Sequence, residues 1–418
     1  MKFILFIFFL ASFSYLNAGI LDSVSLSSPM MLDINGDNIK EILITTLDGK
    51  IHAYSSNGKE YIHDKWPVSL NDELGTPPAV VYDKNGNPKI GVLGMNGKFY
   101  ILDSKGNTTY SYDTESLNGS IISTGDYNND GKEDFGFGVS KGFVYFIDQT
   151  NGVFGSHPIP SRVSSNILSV DWDEDGKKET IFSGDDGKIY VMKNGNFSRS
   201  LIPKTPKGIL STLLWYGDAT GDKAPQLVYS IKDKSQHMEI IKINQSGKLN
   251  IMKKFNFKCA TNILFGDFDG DGKLDAVAGD SNNMLHFLSG LQEEKNGYPR
   301  YIKELKKLDG KLKKMDIDND GKPEILFLQN GYIEDKPFGK LIAYSLTNGM
   351  ISGYPKNIGK NNGCFSISDL DNDGKLEIIV TSLKKNKFGL WETKPVIIKT
   401  NAHIPMKIII LGKELNFN

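Results

Sequence analysis

Asp267, Asp269 and Asp271 alternate through one short stretch, and Asp275 follows four residues later. Carboxylates at positions 1, 3, 5 and 9 of a tight turn can close on one hard cation. Calcium takes about six to eight oxygen ligands, and short acidic loops supply them from side chains and a backbone carbonyl. The full copy reads Asp267-Phe268-Asp269-Gly270-Asp271-Gly272-Lys273-Leu274-Asp275, and its spacing returns at Asp33, Asp126, Asp171, Asp316 and Asp369. Cation binding is the chemistry expected of such loops. A motif recurring along one chain also marks a repeat architecture.

Two other readings of the loop fail. An EF-hand needs a bidentate Glu at position 12 and flanking helices, but position 12 of the first loop is Ile44, inside an apolar run. Plain acidic turns would not keep a carboxylate at position 9 in six copies. Position 6 is Gly131, Gly176, Gly272, Gly321 or Gly374 in five loops and Asn38 in the first, residues that tolerate a left-handed backbone.

Enzymatic motifs do not stand out. The chain has no His-Glu-x-x-His and no Walker loop. Its six histidines never fall at metal-ligand spacing, which argues against zinc. No residue is assigned a catalytic role. A carboxylate pair assembled from separate repeats is the route left open to an enzyme.

The loops must be positioned by short strands. Asp33 and Asp126 are 93 residues apart, about twice the neighbouring gap of 45, and a decayed copy lies between them at Val81-Tyr82-Asp83-Lys84-Asn85-Gly86-Asn87-Pro88-Lys89. Here position 1 is apolar and position 9 is Lys89, whose ammonium is expected where other loops place a carboxylate. A second decayed copy, Asp218-Ala219-Thr220-Gly221-Asp222-Lys223-Ala224-Pro225-Gln226, divides the 96-residue gap after Asp171. Neither damaged loop is expected to hold a cation. That makes eight units, 45 to 53 residues apart.

A second register agrees. Nineteen residues after position 1 stand His52, Tyr100, Tyr145, Tyr190 and His286. The tyrosines predict a packing role for both histidines rather than a catalytic one. After each loop comes an apolar run such as Glu41-Ile42-Leu43-Ile44-Thr45 or Glu377-Ile378-Ile379-Val380-Thr381, which fits a strand buried on both faces. Asn57-Gly58, Asn151-Gly152 and Asn348-Gly349 are hairpin turns. Trp66-Pro67, Tyr298-Pro299 and Tyr354-Pro355 belong to outer segments, where proline costs no ladder donor. Four short strands per unit is the size of a propeller blade, and closing the ring hides the sticky faces of the first and last blades.

Phe265-Gly266-Asp267 before the sharpest loop and Ala276-Val277-Ala278-Gly279 after it resemble the FG-GAP repeat of integrin α-subunit propellers, with the secreted bacterial FG-GAP or VCBS-type proteins as nearer kin. The resemblance implies an all-β propeller of four-stranded blades spanning residues 19–418. Eight units point to eight blades, or to seven if the terminal units share one, as the seven-bladed integrins allow. It also implies calcium in up to six structural sites. The ligands it implies are Asp33, Asn35, Asp37 and Glu41; Asp126, Asn128, Asp130 and Asp134; and Asp171, Asp173, Asp175 and Glu179. The last three sets are Asp267, Asp269, Asp271 and Asp275; Asp316, Asp318, Asp320 and Glu324; and Asp369, Asp371, Asp373 and Glu377. A site with a dissociation constant near 10⁻⁴ M in millimolar calcium gains about 1.4 kcal/mol. Six such gains approach the whole stability of a domain, about 5–15 kcal/mol.

Bulk numbers narrow the setting. The chain has 418 residues, and its 49 basic and 50 acidic side chains leave a net charge of -1, so nothing points to nucleic acid or an anionic membrane surface. Lys2 followed by the apolar stretch from Phe3 to Phe13 reads as a signal peptide ending at Ala18, too short to span a bilayer. No later segment is apolar enough to span one. Export to the periplasm, cell surface or extracellular space is expected. Cys259 and Cys364 lie two repeats apart and read as buried thiols rather than a bridge.

The reading is a monomeric, secreted or cell-surface propeller that binds a glycan or a protein. A lyase-like polysaccharide-processing enzyme is the alternative, because some lyases resemble a calcium-loaded eight-bladed ring. An envelope assembly scaffold is the second, because Gly187-Lys188-Ile189-Tyr190-Val191 also looks like a PQQ-type propeller repeat.

Overall fold

The computed structural model describes residues 23–403 except 194–195, 202–208, 211–213, 219–224, 233–237, 244–248, 256, 258–259, 303–310, 334–335 and 388–389. The predicted signal peptide, Cys259 and most of the second damaged loop lie outside the described residues. Among the described residues there is no helix, and hence none long and apolar enough to cross a membrane.

The fold is all-β. The described strands form eight antiparallel sheets, one for each repeat. In the first, Met30–Leu32, Glu41–Thr45, Lys50–Tyr54 and Val68–Ser69 pair in chain order. In the sixth and seventh sheets the outer strand is broken in two. Glu293–Glu294 and Arg300–Tyr301 both pair with Met284–Ser289, and Gly349–Met350 and Lys356–Asn357 both pair with Lys336–Ser345. Pro299 and Pro355 sit in those breaks, where no ladder donor is lost.

The second strand of a sheet is its most buried. Every residue of Glu41–Thr45, Glu179–Ser183 and Asp275–Gly279 is buried. That explains the apolar runs without alternation, since both faces of each sheet are covered by neighbours. The core is accordingly divided into eight apolar clusters between sheets. One joins Leu43 and Ile51 to Ile90 and Val92, and the next joins Phe99 to Phe135 and Phe137. Others join Phe146 to Phe182, Ile181 to Leu227, and Val228 to Phe265. Two more join Val277 to Ile325, and Leu326 to Phe365 and Ile378.

The last cluster packs Ile42, Ile44 and Tyr54 of the first sheet against Leu370 and Ile379 of the eighth. The eighth sheet has three described strands, Asn361–Ser368, Lys375–Lys385 and Trp391–His403. The first described residues run beside its last strand. Thr393 N–H donates to the Ser23 carbonyl at 2.8 Å, and Ser25 N–H donates to Thr393 Oγ1 at 2.8 Å. Ser366 Oγ donates to the Pro29 carbonyl at 2.7 Å. First and last sheets thus cover each other's apolar faces.

Candidate metal centres

Each intact loop joins the first strand of its sheet to the second. The residue before position 1 pairs with position 9 in every case, as in Leu32↔Glu41, Gly125↔Asp134, Val170↔Glu179 and Gly266↔Asp275. Met315↔Glu324 and Ser368↔Glu377 complete the set. The position-9 carboxylate therefore starts, or lies at the start of, the most buried strand. Its burial follows: Asp134, Asp275 and Glu324 are 0% exposed.

Backbone N–H groups hold the loop by a repeated pattern. Position 2 donates to one oxygen of position 9 in all six loops: Ile34 to Glu41, Tyr127 to Asp134, Trp172 to Glu179, Phe268 to Asp275, Ile317 to Glu324 and Leu370 to Glu377. Position 6 donates to position 1, as Asn38 does to Asp33 and Gly272 to Asp267 at 2.8 Å each. Position 7 donates to position 5, as Lys322 does to Asp320 at 2.8 Å. Position 1 accepts through both oxygens in most loops, as Asp33 does from Gly36 and Asn38, and Asp275 at position 9 accepts a second N–H from Gly290 at 2.8 Å.

The carboxylates of four loops converge. Asp171, Asp173 and Glu179 place ligand atoms within 4.8 Å of one another, and so do Asp369, Asp371 and Glu377. Asp267, Asp269 and Asp271 do the same, as do Asp316, Asp318 and Asp320. In the first and third loops position 3 is Asn35 or Asn128, and no such carboxylate trio forms. Asn35 instead donates to Asp37 at 3.1 Å and to Glu41 at 3.2 Å.

Buried oxygens without donors mark these centres. Oδ1 of Asp134, Asp171, Asp173 and Asp371 and Oε1 of Glu179 and Glu324 are buried and accept no hydrogen bond. A buried acceptor without a donor is costly. Burial, reinforced by neighbouring loop carboxylates, pushes Asp134 and Glu324 up to about 7 and Asp275 up to about 6. It also raises Glu41, Glu179 and Glu377. An all-oxygen set that is short of positive charge suits a hard divalent cation.

Lysines approach some loops. Lys193 Nζ lies 2.6 Å from both Asp173 and Asp175, Lys295 Nζ lies 2.5 Å from Asp269, and Lys399 Nζ lies 3.0 Å from Asp371. In the second, damaged loop Lys89 Nζ stands 3.7 Å from Asp83. That loop is also shorter than its sequence register suggests. Tyr82 pairs with Pro88, leaving a five-residue turn in which Asp83 accepts from Asn85 and Asn87. The nine-residue alignment there is corrected to a turn that has closed over the site.

The residues at offset 19 share one ladder position, opposite Ile44, Val92, Phe137, Phe182 and Ala278. His52 Nδ1 is 2.8 Å from Glu60, and His286 Nδ1 is 2.6 Å from Glu294. The second nitrogens differ in partner. His52 Nε2 meets Ser23 Oγ at 3.1 Å, and His286 Nε2 meets Asp280 at 3.5 Å. The His–Glu pair therefore belongs to the repeat, and the serine beside His52 to the closing segment.

Two features escaped sequence reasoning. Position 4 is left-handed in every intact loop, with φ of 81° at Gly36, 62° at Asn129, 60° at Glu174, 78° at Gly270, and 59° at Asn319 and Asn372. The run of Gly and Asn at that position was the available signal. Buried Asp148, whose charge helps to raise Asp134, comes from the third strand and has no signal in the loop.

No protein-family model matches the chain, and no curated protein matches it in sequence. Among solved structures it is similar to the V. cholerae biofilm matrix protein Bap1, at 12% identity and a TM-score of 0.61, covering 91% of this chain and 89% of that one. It also aligns with BamB from Moraxella catarrhalis at 13% identity and a TM-score of 0.44, covering 76% and 81% of the two chains. The computationally designed Ika8 protein aligns at 11% identity and 0.49, covering 90% and 100%. The likeness to Bap1 is one of fold, and it agrees with the sheets and clusters above: the chain has an all-β, β-propeller-like fold built from repeated antiparallel sheets.

Proposed function

We propose that residues 19–418 form one closed ring of eight FG-GAP-like blades, exported after loss of residues 1–18, that serves as a binding or adhesion module for a glycan or protein ligand. Calcium in the intact loops is structural in this reading. The observation that carries it is the common geometry of six loops: a buried position-9 carboxylate that accepts the backbone N–H of position 2. In several loops acceptors are left without donors around the same centre. Positions 1, 3, 5 and 9 of each loop would hold the ion, which supplies the positive charge those oxygens lack. The loops' own residues do the rest: they lock the strand connection and fix the edge of each blade.

A blade edge fixed in this way gives a rigid rim on which ligand contacts can be built. Bap1 is a biofilm matrix protein, and a matrix or surface setting for this chain is consistent with the predicted export signal. The test is a glycan array probed with protein lacking residues 1–18, in calcium and again in EGTA. Binding present in calcium and lost in EGTA is the expected result. A blank array from protein shown to be folded would sink the glycan half and leave protein ligands to be sought by crosslinking on whole cells.

A further inference from the structure

Six loops of one motif would make six equivalent sites, but the strand facing each loop makes them unequal. One residue stands across the ladder from each position-9 carboxylate. Continued by one residue, the registers put Ser55 opposite Glu41, Asp148 opposite Asp134, Lys193 opposite Glu179 and Ser289 opposite Asp275. Ser345 stands opposite Glu324, and Lys399 opposite Glu377. A serine adds no charge, an aspartate adds a negative one, and a lysine brings its own cation.

Lys193 reaches fully into the fourth loop. Its Nζ lies 2.6 Å from Asp173 Oδ2, 2.6 Å from Asp175 Oδ2 and 3.6 Å from Glu179 Oε1. It thus touches positions 3, 5 and 9 together. Its side chain is 33% exposed, while that of Glu179 is 0% exposed. Lys399 makes the same approach in the eighth loop, but meets Asp371 alone and is 72% exposed. Lys295 comes to the sixth loop from a turn beyond the third strand and touches only position 3. The acidic cluster changes with the facing residue. Positions 1, 3 and 9 converge in the fourth and eighth loops, where it is lysine, and positions 1, 3 and 5 in the sixth and seventh, where it is serine.

We infer that Lys193 is a tethered cation for the fourth loop, holding its carboxylates in the place calcium takes elsewhere. Calcium enters that loop by displacing the ammonium. A group carried on the neighbouring strand acts at high effective concentration, so it competes well against a free ion. Lys399 does the same in the eighth loop and yields more readily, because it makes one contact in place of three. The ring then has two classes of loop: those that require calcium, and one or two that keep their shape without it. This inference rests on the calcium reading of the loops and adds which of them respond to the metal.

The test uses the full chain and terbium as a luminescent calcium probe. Trp172 is position 2 of the fourth loop, so tryptophan-excited terbium emission reports on that loop, and a W172F control assigns the signal. In K193M the emission should appear at roughly tenfold lower terbium than in wild type, the direction expected when a site becomes one unit more negative. In K399M, a separate variant in a separate sheet, calcium affinity read by calorimetry should rise by a smaller factor than in K193M. Equal terbium dependence in wild type and K193M, with no gain in calcium affinity in either variant, would overturn the inference while leaving the calcium reading intact. Wild type and both variants that take up neither ion would overturn both readings.

Discussion

Glu324→Gln should stabilise the metal-free protein and lose most or all of that gain in calcium. Glu324 is wholly buried, and its Oε2 accepts the Ile317 N–H at 3.0 Å while Oε1 accepts nothing. Glutamine keeps the acceptor, replaces the orphaned oxygen with a donor and removes a charge beside Asp316, Asp318 and Asp320. Burial pushes this carboxyl from 4.5 to about 7. At about 1.4 kcal/mol per tenfold, that displacement amounts to about 3 kcal/mol against the ionised form in the metal-free fold. In EGTA at mildly alkaline pH the variant should therefore gain about 1–3 kcal/mol, since glutamine has no such form. In millimolar calcium the variant loses an anionic ligand and with it roughly 1.4 kcal/mol of binding linkage, so its advantage over wild type shrinks by that amount. A chain of this size moves roughly 1–2 °C per kcal/mol, less than smaller domains do. Differential scanning calorimetry in the two buffers reads both shifts. An equal shift in both buffers would refute the argument that this carboxylate is oriented toward a cation.

Acidity should act through the same groups. Asp134 and Glu324 have folded values near 7 and Asp275 near 6, all raised. A raised carboxyl contributes stability below its unfolded value, near 4, and loses it as pH rises through the folded value. In EGTA the melting temperature should fall between about pH 4 and pH 7 on this account. In calcium the trend should reverse, because the ligands must be deprotonated to bind; parallel melts across pH check it. Gly97→Ala should destabilise by about 2 kcal/mol or more, because Gly97 has φ 83° and an added Cβ would lie 1.7 Å from the Ser116 carbonyl. Urea titration followed by tryptophan fluorescence measures the loss. Lys89→Glu restores the sequence motif at position 9 of the second loop but should recruit no calcium, because Val81 and Lys89 are already ladder partners across a five-residue turn. A gain of one calcium by calorimetry would show that the turn can reopen.

The repeat was legible because its two registers are local. The acidic loop and the residue at offset 19 each recur within one strand or turn, so spacing alone places them. Strand type and burial followed from apolar runs such as Ile42-Leu43-Ile44. What escaped depends on pairing across strands. The five-residue turn at Asp83 arises because its strands pair further up the ladder, which a nine-residue template misaligns. The lysines facing Glu179 and Glu377 are 14 and 22 residues away in sequence, and only the ladder brings them opposite. The histidines show the converse: their tyrosine counterparts indicated a packing position, but not the glutamate that each one meets.

The closing contacts set an order on the birth of the molecule. Ser25 N–H finds Thr393 at a separation of 368 residues. Chain closure over such a span is slow compared with the pairing of neighbouring strands. Until the last strand has emerged, Ile42, Ile44 and Tyr54 have no eighth sheet to cover them. A half-made chain is thus a row of finished sheets with an adhesive edge at its start. Two such unfinished chains side by side would seal each other's edges unless the first sheet is shielded until the last arrives.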